Sequence, residues 1–448
     1  MGETDDVDIL DPFRQFFSLR RDVLVLSLAM LAFSLALQMT SRYVPEYMRV
    51  LDISPVLIGV YLSVGNLVGA VYPYPGGWVS DRVGSRTALT AFAVLSTFGF
   101  LVWYAVAFVS SWTPFGLALP AFALMTVGLL FTQAWKSLGL GATFAVVKQS
   151  VAPEHLAAGF ASTETFRRVG FLVGPLLAAG LLAATTGFVE GFQRILVVAF
   201  AFGVVATVAQ HVLYDAGEDT VGAEFAGVGQ IVEDLRGLPA LIRPLLVGDT
   251  LVRFANGMVY GFFVLFVTDE LGVGLTAFGF ELRPDAFFGV LLAVEMVVAL
   301  ASMVPVAKLA EYTGLKPVVA LGFVVYAAFP TALAFAPANQ WVLVALFAFS
   351  GLRFAGLPAH KALIVGPAET DAGGRVTGTY YLVRNVVVIP SAALGGLIWD
   401  GFSNPLTGDV LFEGDPVLAF SIATVIGLVG TGYFLLFGEE FEAYAAES

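Results

Sequence analysis

Long apolar runs broken by short polar segments set the pattern of this chain. Twelve of them are long enough to cross a membrane: Val23–Met48, Pro55–Trp78, Ala88–Ser110, Phe115–Val147, Leu156–Leu182, Ile195–Leu213, Leu245–Val267, Ala286–Val306, Val318–Phe335, Trp341–Val365, Val376–Ile398 and Pro416–Phe437. A helix needs roughly 20 apolar residues to span about 30 Å of hydrocarbon. Runs such as Val23–Leu37 show none of the alternation that the strands of a membrane barrel require. Lipid gives backbone N–H and C=O groups no partner, so the runs are expected to be helices. The pattern predicts an all-α membrane protein with 12 transmembrane helices.

One longer polar break, Asp215–Arg243, carries Asp215, Glu218, Asp219, Glu224, Glu233 and Asp234 and divides the spans six and six. The expected organisation is a tail over 1–22, a six-helix bundle over 23–213, a linker over 214–244, a second bundle over 245–437 and an acidic tail over 438–448. The later linker, Phe225–Leu241, is either a short helix on the membrane surface or a passive tether. Loop Lys and Arg set orientation, because they are retained on the cytoplasmic side. With both termini in the cytoplasm, eleven fall in cytoplasmic segments and four, Arg42, Arg49, Arg194 and Arg283, in external ones. N- and C-termini in the cytoplasm is therefore the expected topology.

Composition agrees and removes alternatives. Of 448 residues, 58% are hydrophobic and 13% charged, with mean hydropathy +0.86. That charge is about half the roughly 25% usual for soluble chains, so a soluble multidomain protein is excluded. Cys is absent, which excludes disulfides, thiol catalysis and Cys-based metal sites. The net charge is −13, and only five of the 22 basic residues are Lys. An acidic, lysine-poor surface is what a halophilic prokaryote would carry. The chain has no phosphate-binding G-x-x-x-x-G-K-[ST] loop, and His155, His211 and His360 form no catalytic or zinc pattern. No enzymatic activity, cofactor, metal or nucleic-acid partner is expected.

The two halves repeat a motif. The segment after the second span reads Gly77-Trp-Val-Ser-Asp81-Arg82-Val-Gly84-Ser-Arg86; after the eighth it reads Ala307-Lys-Leu-Ala-Glu311-Tyr-Thr-Gly314-Leu-Lys316. Acid meets acid, Gly meets Gly and base meets base at a constant offset of 230 residues. A second pair of landmarks follows the fourth span of each half: Pro153-Glu154 leads to Arg168 and Pro175, and Pro367-Ala-Glu369 leads to Arg384 and Pro390. Matched landmarks in the same order point to a duplicated six-helix unit, as in transporters built from repeats.

The first segment resembles the G-x-x-x-D-R-x-G-R-R signature of the major facilitator superfamily, departing from it at Ser85. With the twelve-span plan the resemblance covers nearly the whole chain. It implies two pseudo-symmetric six-helix bundles and a secondary active transporter for a small organic solute. Such a carrier works by alternating access, with a coupling ion, the proton above all, as a monomer in the cell membrane. It also implies that Asp81 latches the halves by lying near the start of span eleven, around Gly374–Thr377. Glu311 would face Leu156–Ala158 in the same way. Arg82 and Arg86 are expected at the lipid surface, with Gly84, Gly314 and Lys316 completing the turns.

Span five carries Gly170-Phe-Leu-Val-Gly174-Pro175-Leu-Leu-Ala-Ala-Gly180, which is similar to a motif of the superfamily's drug:proton antiporters. The alternative is plain small-residue packing. Those exporters carry an Arg in span four where this chain has Trp135, with Lys136 beside it. Efflux and uptake of an organic anion both stay open, with a receptor or channel as a further alternative.

Ionisable residues within spans are costly and face a cavity or a partner. The basic set is Lys136, Arg167, Arg168, Arg253, Arg353, Lys361 and Arg384; the acidic set is Glu164, Asp249 and Glu295. Helical spacing aligns Asp249, Arg253 and Asn256; Arg353, Gly356 and His360; Tyr380 and Arg384; and Gln38 and Arg42. Asp249 and Arg253 are either site residues or a mutually neutralising pair, and His360 is either a site residue or a packing residue. Glu295 stands alone near the middle of span eight, which suits proton binding. The resemblance implies that spans one, four, seven and ten line the path, making Gln38, Lys136, Arg253, Glu295, Arg353 and Arg384 the leading candidates. The positive excess suits an anionic or zwitterionic solute, and the many Phe and Tyr suit an amphipathic one.

Overall fold

Helix ends fall where the sequence supplies caps or prolines. The computed structural model describes residues 21–109, 119–139, 156–214, 239–277, 279–366, 373–403 and 409–440. The first span is α1 (Arg21–Thr40) and α2 (Val44–Val50), joined by a turn over 41–43. α3 (Pro55–Val71) starts at Ser54, whose hydroxyl accepts from the Leu57 N–H at 3.5 Å. It bends by 41° into α4 (Pro73–Val83); Pro73 supplies no N–H to continue the ladder. α5 (Ser85–Val106), α6 (Leu119–Thr132), α7 (Leu156–Ala183) and α8 (Phe188–Leu213) complete the first half. A π-helical turn, Ala134–Leu138, follows α6.

The second half runs through α9 (Arg243–Val259), α10 (Pro284–Thr313), α11 (Leu315–Ala334), α12 (Gln340–Gly351), α13 (Leu357–Val365), α14 (Gly373–Val388), α15 (Ser391–Asp400) and α16 (Pro416–Phe437). Asn339 caps α12 through the N–H groups of Trp341 and Val342, and Asp415 caps α16 through Val417 and Leu418. Two short antiparallel hairpins, β1 (Leu275–Ala277) with β2 (Phe280–Leu282) and β3 (Gly401–Ser403) with β4 (Val410–Glu413), sit between spans.

Among the described residues, ten helices are long and apolar enough to cross a membrane, and the bent α3–α4 pair makes up to 11. The expected fourth span and most of the linker fall partly outside the described residues. Three boundaries move for a physical reason. The sixth span begins at Phe188 rather than Ile195, because Arg194 pairs with Glu190 one turn earlier at 2.6 Å and helix is maintained through both. The motif segments are helical rather than loops. Gly77–Val83 extends α4 and Ala307–Thr313 extends α10, so each connection shrinks to one glycine. Gly84 (φ 81°, ψ 152°) and Gly314 (φ 86°, ψ 169°) adopt the same left-handed turn, which an L side chain resists. The repeat read from sequence is thus a repeat of backbone geometry.

Three apolar cores hold the helices. The largest draws on both halves, from Tyr43, Tyr47, Trp103 and Phe192 to Phe263, Phe288 and Phe420. The second is confined to residues between Ile242 and Phe434, and the third to residues between Val25 and Tyr214. Those two lie towards the end that carries Gly84 and Gly314, here the glycine-turn end. The shared core occupies the opposite, aromatic end.

Candidate functional site

The halves meet tightly at the aromatic end. A Cβ on Gly59 of α3 would collide with the Ala392 carbonyl of α15, and one on Gly396 with the Pro55 carbonyl. The Ser63 hydroxyl accepts from the Ala393 N–H at 2.9 Å. Gly289 of α10 lets the Tyr43 hydroxyl and the Pro175 carbonyl approach, and Tyr43 meets Phe288 edge-to-face at 5.9 Å. Polar links close the rim. Thr268 donates to Glu46 at 2.8 Å, Arg49 lies 3.7 Å from Asp269, and Arg283 donates to the Thr185 and Leu182 carbonyls.

Below this seal lie two charged clusters. Asp249, fully buried on α9, accepts from Arg253 at 3.2 Å, Arg384 at 3.1 Å and the Tyr380 hydroxyl at 3.1 Å. His360 Nε2 stands 3.4 Å from the same carboxylate and 3.3 Å from Tyr380. Arg253 also donates to the Tyr326 hydroxyl at 2.8 Å. Four candidates from α9, α13 and α14 therefore converge on Asp249. A local Asp249–Arg253 pair alone falls short of this, because Arg384 shares the carboxylate.

Glu295 overturns an expectation. It is buried but not alone: Arg353 pairs with it at 2.7 Å and the Ser350 hydroxyl donates at 2.5 Å. The partner comes from the α12–α13 break, which no spacing within span eight could reveal. Arg353 is itself buried, ringed by Tyr260, Tyr326 and Phe354 at 4.8–5.3 Å from its Cζ.

Arg42, counted as an external loop charge, turns inward. The α1–α2 turn lifts it off the helix and lays its guanidinium 4.1 Å over the Tyr260 ring, beside Glu295 and Arg353. Its spacing from Gln38 was the available signal. Gln38 packs against Gly174 of α7. Lys136 sits on the π-turn, exposed. Its neighbour Trp135 points the other way, buried, stacked on Phe33 at 4.6 Å and donating to Gln210 at 3.1 Å.

The arrangement of the helices recurs in known structures. The chain is similar to a nucleoside transporter, NupG, with TM-score 0.73 and 13% identity over 93% of this chain and 99% of that one. It is similar to a POT family transporter solved with 5-aminolevulinic acid, at 0.71 and 13% over 94% and 99%. A bacterial homologue of the iron transporter ferroportin, solved inward-facing, gives 0.70 and 14% over 93% and 98%. The chain has the major facilitator fold. Neither the family models nor the curated proteins give a match to the sequence.

Within the major facilitator fold the motif residues make local contacts. Arg82 stacks 3.8 Å over Trp78, and Arg86 donates to the His211 carbonyl at the end of α8 at 2.6 Å. Glu440 accepts from the Leu315 and Lys316 N–H groups at 2.9 and 2.8 Å, which ties the chain after α16 to the start of α11. Each glycine turn is thereby clasped by the end of its own half's last span. Glu311 is exposed. The side chains of Asp81 and of residues 156–165 and 373–375 lie outside the described residues, and with them the expected latch contacts. Gly170 and Gly174 of the exporter-like motif pack α7 against Ser34 and Gln38 of α1.

Proposed function

We propose that this protein is a secondary transporter moving a small organic solute by alternating access, with the Asp249 and Glu295 clusters flanking its site. One observation carries the reading: buried charges converge at mid-depth beneath an apolar seal that joins the halves at the aromatic end. Intramembrane charge is retained where it binds a solute or ion, and a seal at one end leaves the opposite end as the route in this state. With the termini in the cytoplasm, that state faces inward, and Asp81 serves as the latch of the opposite state. The proton suits the coupling role, because protonating Glu295 would release Arg353 within the site. Bundles over 23–213 and 245–437 rock as units about this site, each working as part of a monomer. The acidic surface suits high salt, so thermal stability should rise with molar KCl. Exchange of labelled solute in proteoliposomes without a driving force tests the reading; a panel of anions, zwitterions and amphipathic compounds that gives no counterflow overturns it.

A further inference from the structure

Three helix breaks meet at one ring. The turn over 41–43 interrupts the first span, a 3₁₀ turn (Tyr260–Phe262) interrupts the seventh, and another (Leu352–Phe354) interrupts the tenth. The Tyr260 ring receives the Arg42 guanidinium at 4.1 Å and that of Arg353 at 5.3 Å. In transporters, solute sites form where spanning helices are broken. The contacts continue through Tyr326, whose ring lies 5.1 Å from Arg353 and 4.7 Å from Arg253. Guanidinium and phenol thus alternate in a ladder from Arg42 to Arg253. Charge along the ladder is uneven. Arg353 has Glu295 at 2.7 Å, and Arg253 shares Asp249 with Arg384. Arg42, half-buried within the first span, has neither ion pair nor hydrogen bond among the described residues. A ring face attracts its charge but leaves its N–H donors in need of acceptors. Two polar atoms close by also lack partners among the described residues. They are the buried Nε of Arg353 and the buried side-chain oxygen of Asn256, one turn from Tyr260 on the same face of α9.

We infer that Arg42 anchors the carboxylate of the transported solute, in a headgroup site backed by Tyr260 and flanked by Arg353 and Asn256. The solute class is then the organic carboxylates. A planar carboxylate matches the guanidinium fork through two parallel hydrogen bonds. One uncompensated cation calls for one negative charge on the headgroup. Arg42 belongs to the first half and Tyr260 to the second, so a headgroup held here touches both. This inference deepens the transporter reading and rests on it for the solute's passage, though not for its binding.

The test is labelling of Arg42 by phenylglyoxal in the purified full chain, read by mass spectrometry of its peptide. Acetate, benzoate, acetamide and benzamide are compared at matched ionic strength. Arg42 should react in the ligand-free protein, and a carboxylate should slow that reaction about tenfold near ten times its Kd, by mass action. The amides should leave it unchanged. Arg42 that resists the reagent without ligand, or that is labelled equally fast with carboxylates and amides, overturns the site. In thermal melting, Arg42→Gln should weaken carboxylate binding about tenfold or more, while Arg42→Lys keeps the preference for carboxylate over amide. A Gln variant that binds like wild type overturns the site as well; if it does not fold, labelling of the wild type decides alone. Counterflow with the same four compounds and with putrescine separates the two readings. Exchange of putrescine or an amide, with Arg42 unprotected by carboxylates, sinks this site and leaves the carrier. Protection of Arg42 without exchange of any solute leaves the site and sinks the carrier.

Discussion

At the scale of the residue, a buried charge is worth what its partners make it. Glu295 and Arg353 are both buried, so removing one strands the other in a low-dielectric interior, at a cost of about 3 kcal/mol. Glu295→Gln should therefore lower stability by ~3 kcal/mol in detergent unfolding, and Arg353→Gln on top of it should recover part of the loss. Asp249 is the hub of its cluster. Asp249→Asn should destabilise by ~3 kcal/mol, because Arg253, Arg384 and His360 would be left facing each other. Either Arg→Gln change alone should cost only ~1 kcal/mol, since the other guanidinium still answers the carboxylate. An unfolding series that ranks the arginines above Asp249 would contradict this hub. The sequence supplied these ionisable residues and their faces, because spacing along one helix is local. It could not supply the Glu295–Arg353 pair or the inward turn of Arg42, because both depend on which helices become neighbours.

At the scale of the element, the two glycine turns are the best test of the duplication. Both hold φ near +80° in one-residue connections. Gly84→Ala and Gly314→Ala should each cost ~1–2 kcal/mol, an effect that an L residue at φ > 0 carries whatever the space around it. Equal melting of wild type and Gly84→Ala would remove that argument. The seal is a second element-scale feature. Gly59 and Gly396 allow α3 and α15 to approach at backbone distance, so Gly59→Val should push the halves apart at the aromatic end. Single-cysteine alkylation of this cysteine-free chain should then show residues near Pro55 becoming more accessible. Small residues in apolar runs were legible in the sequence; their partners across the interface were not. Helix ends show the complementary limit, since polar residues looked like loops but are helical at Glu190–Arg194 of α8 and in the motif segments at the ends of α4 and α10.

At the scale of the whole molecule, the proposed alternating access requires the aromatic end to open. Arg49→Cys with Asp269→Cys, joined by a short thiol-reactive linker, should abolish transport reversibly if the linker is reducible, since Arg49 and Asp269 belong to opposite halves. Full turnover in the linked protein would show that this end does not part. The sequence alone determined that the chain is a predominantly helical membrane protein, because bilayer thickness and the need to pair every backbone group act on each run by itself. Only the tertiary structure decided which charges answer one another and which end is shut. Those depend on contacts between helices far apart in the chain, and no periodicity within a single helix encodes its neighbour.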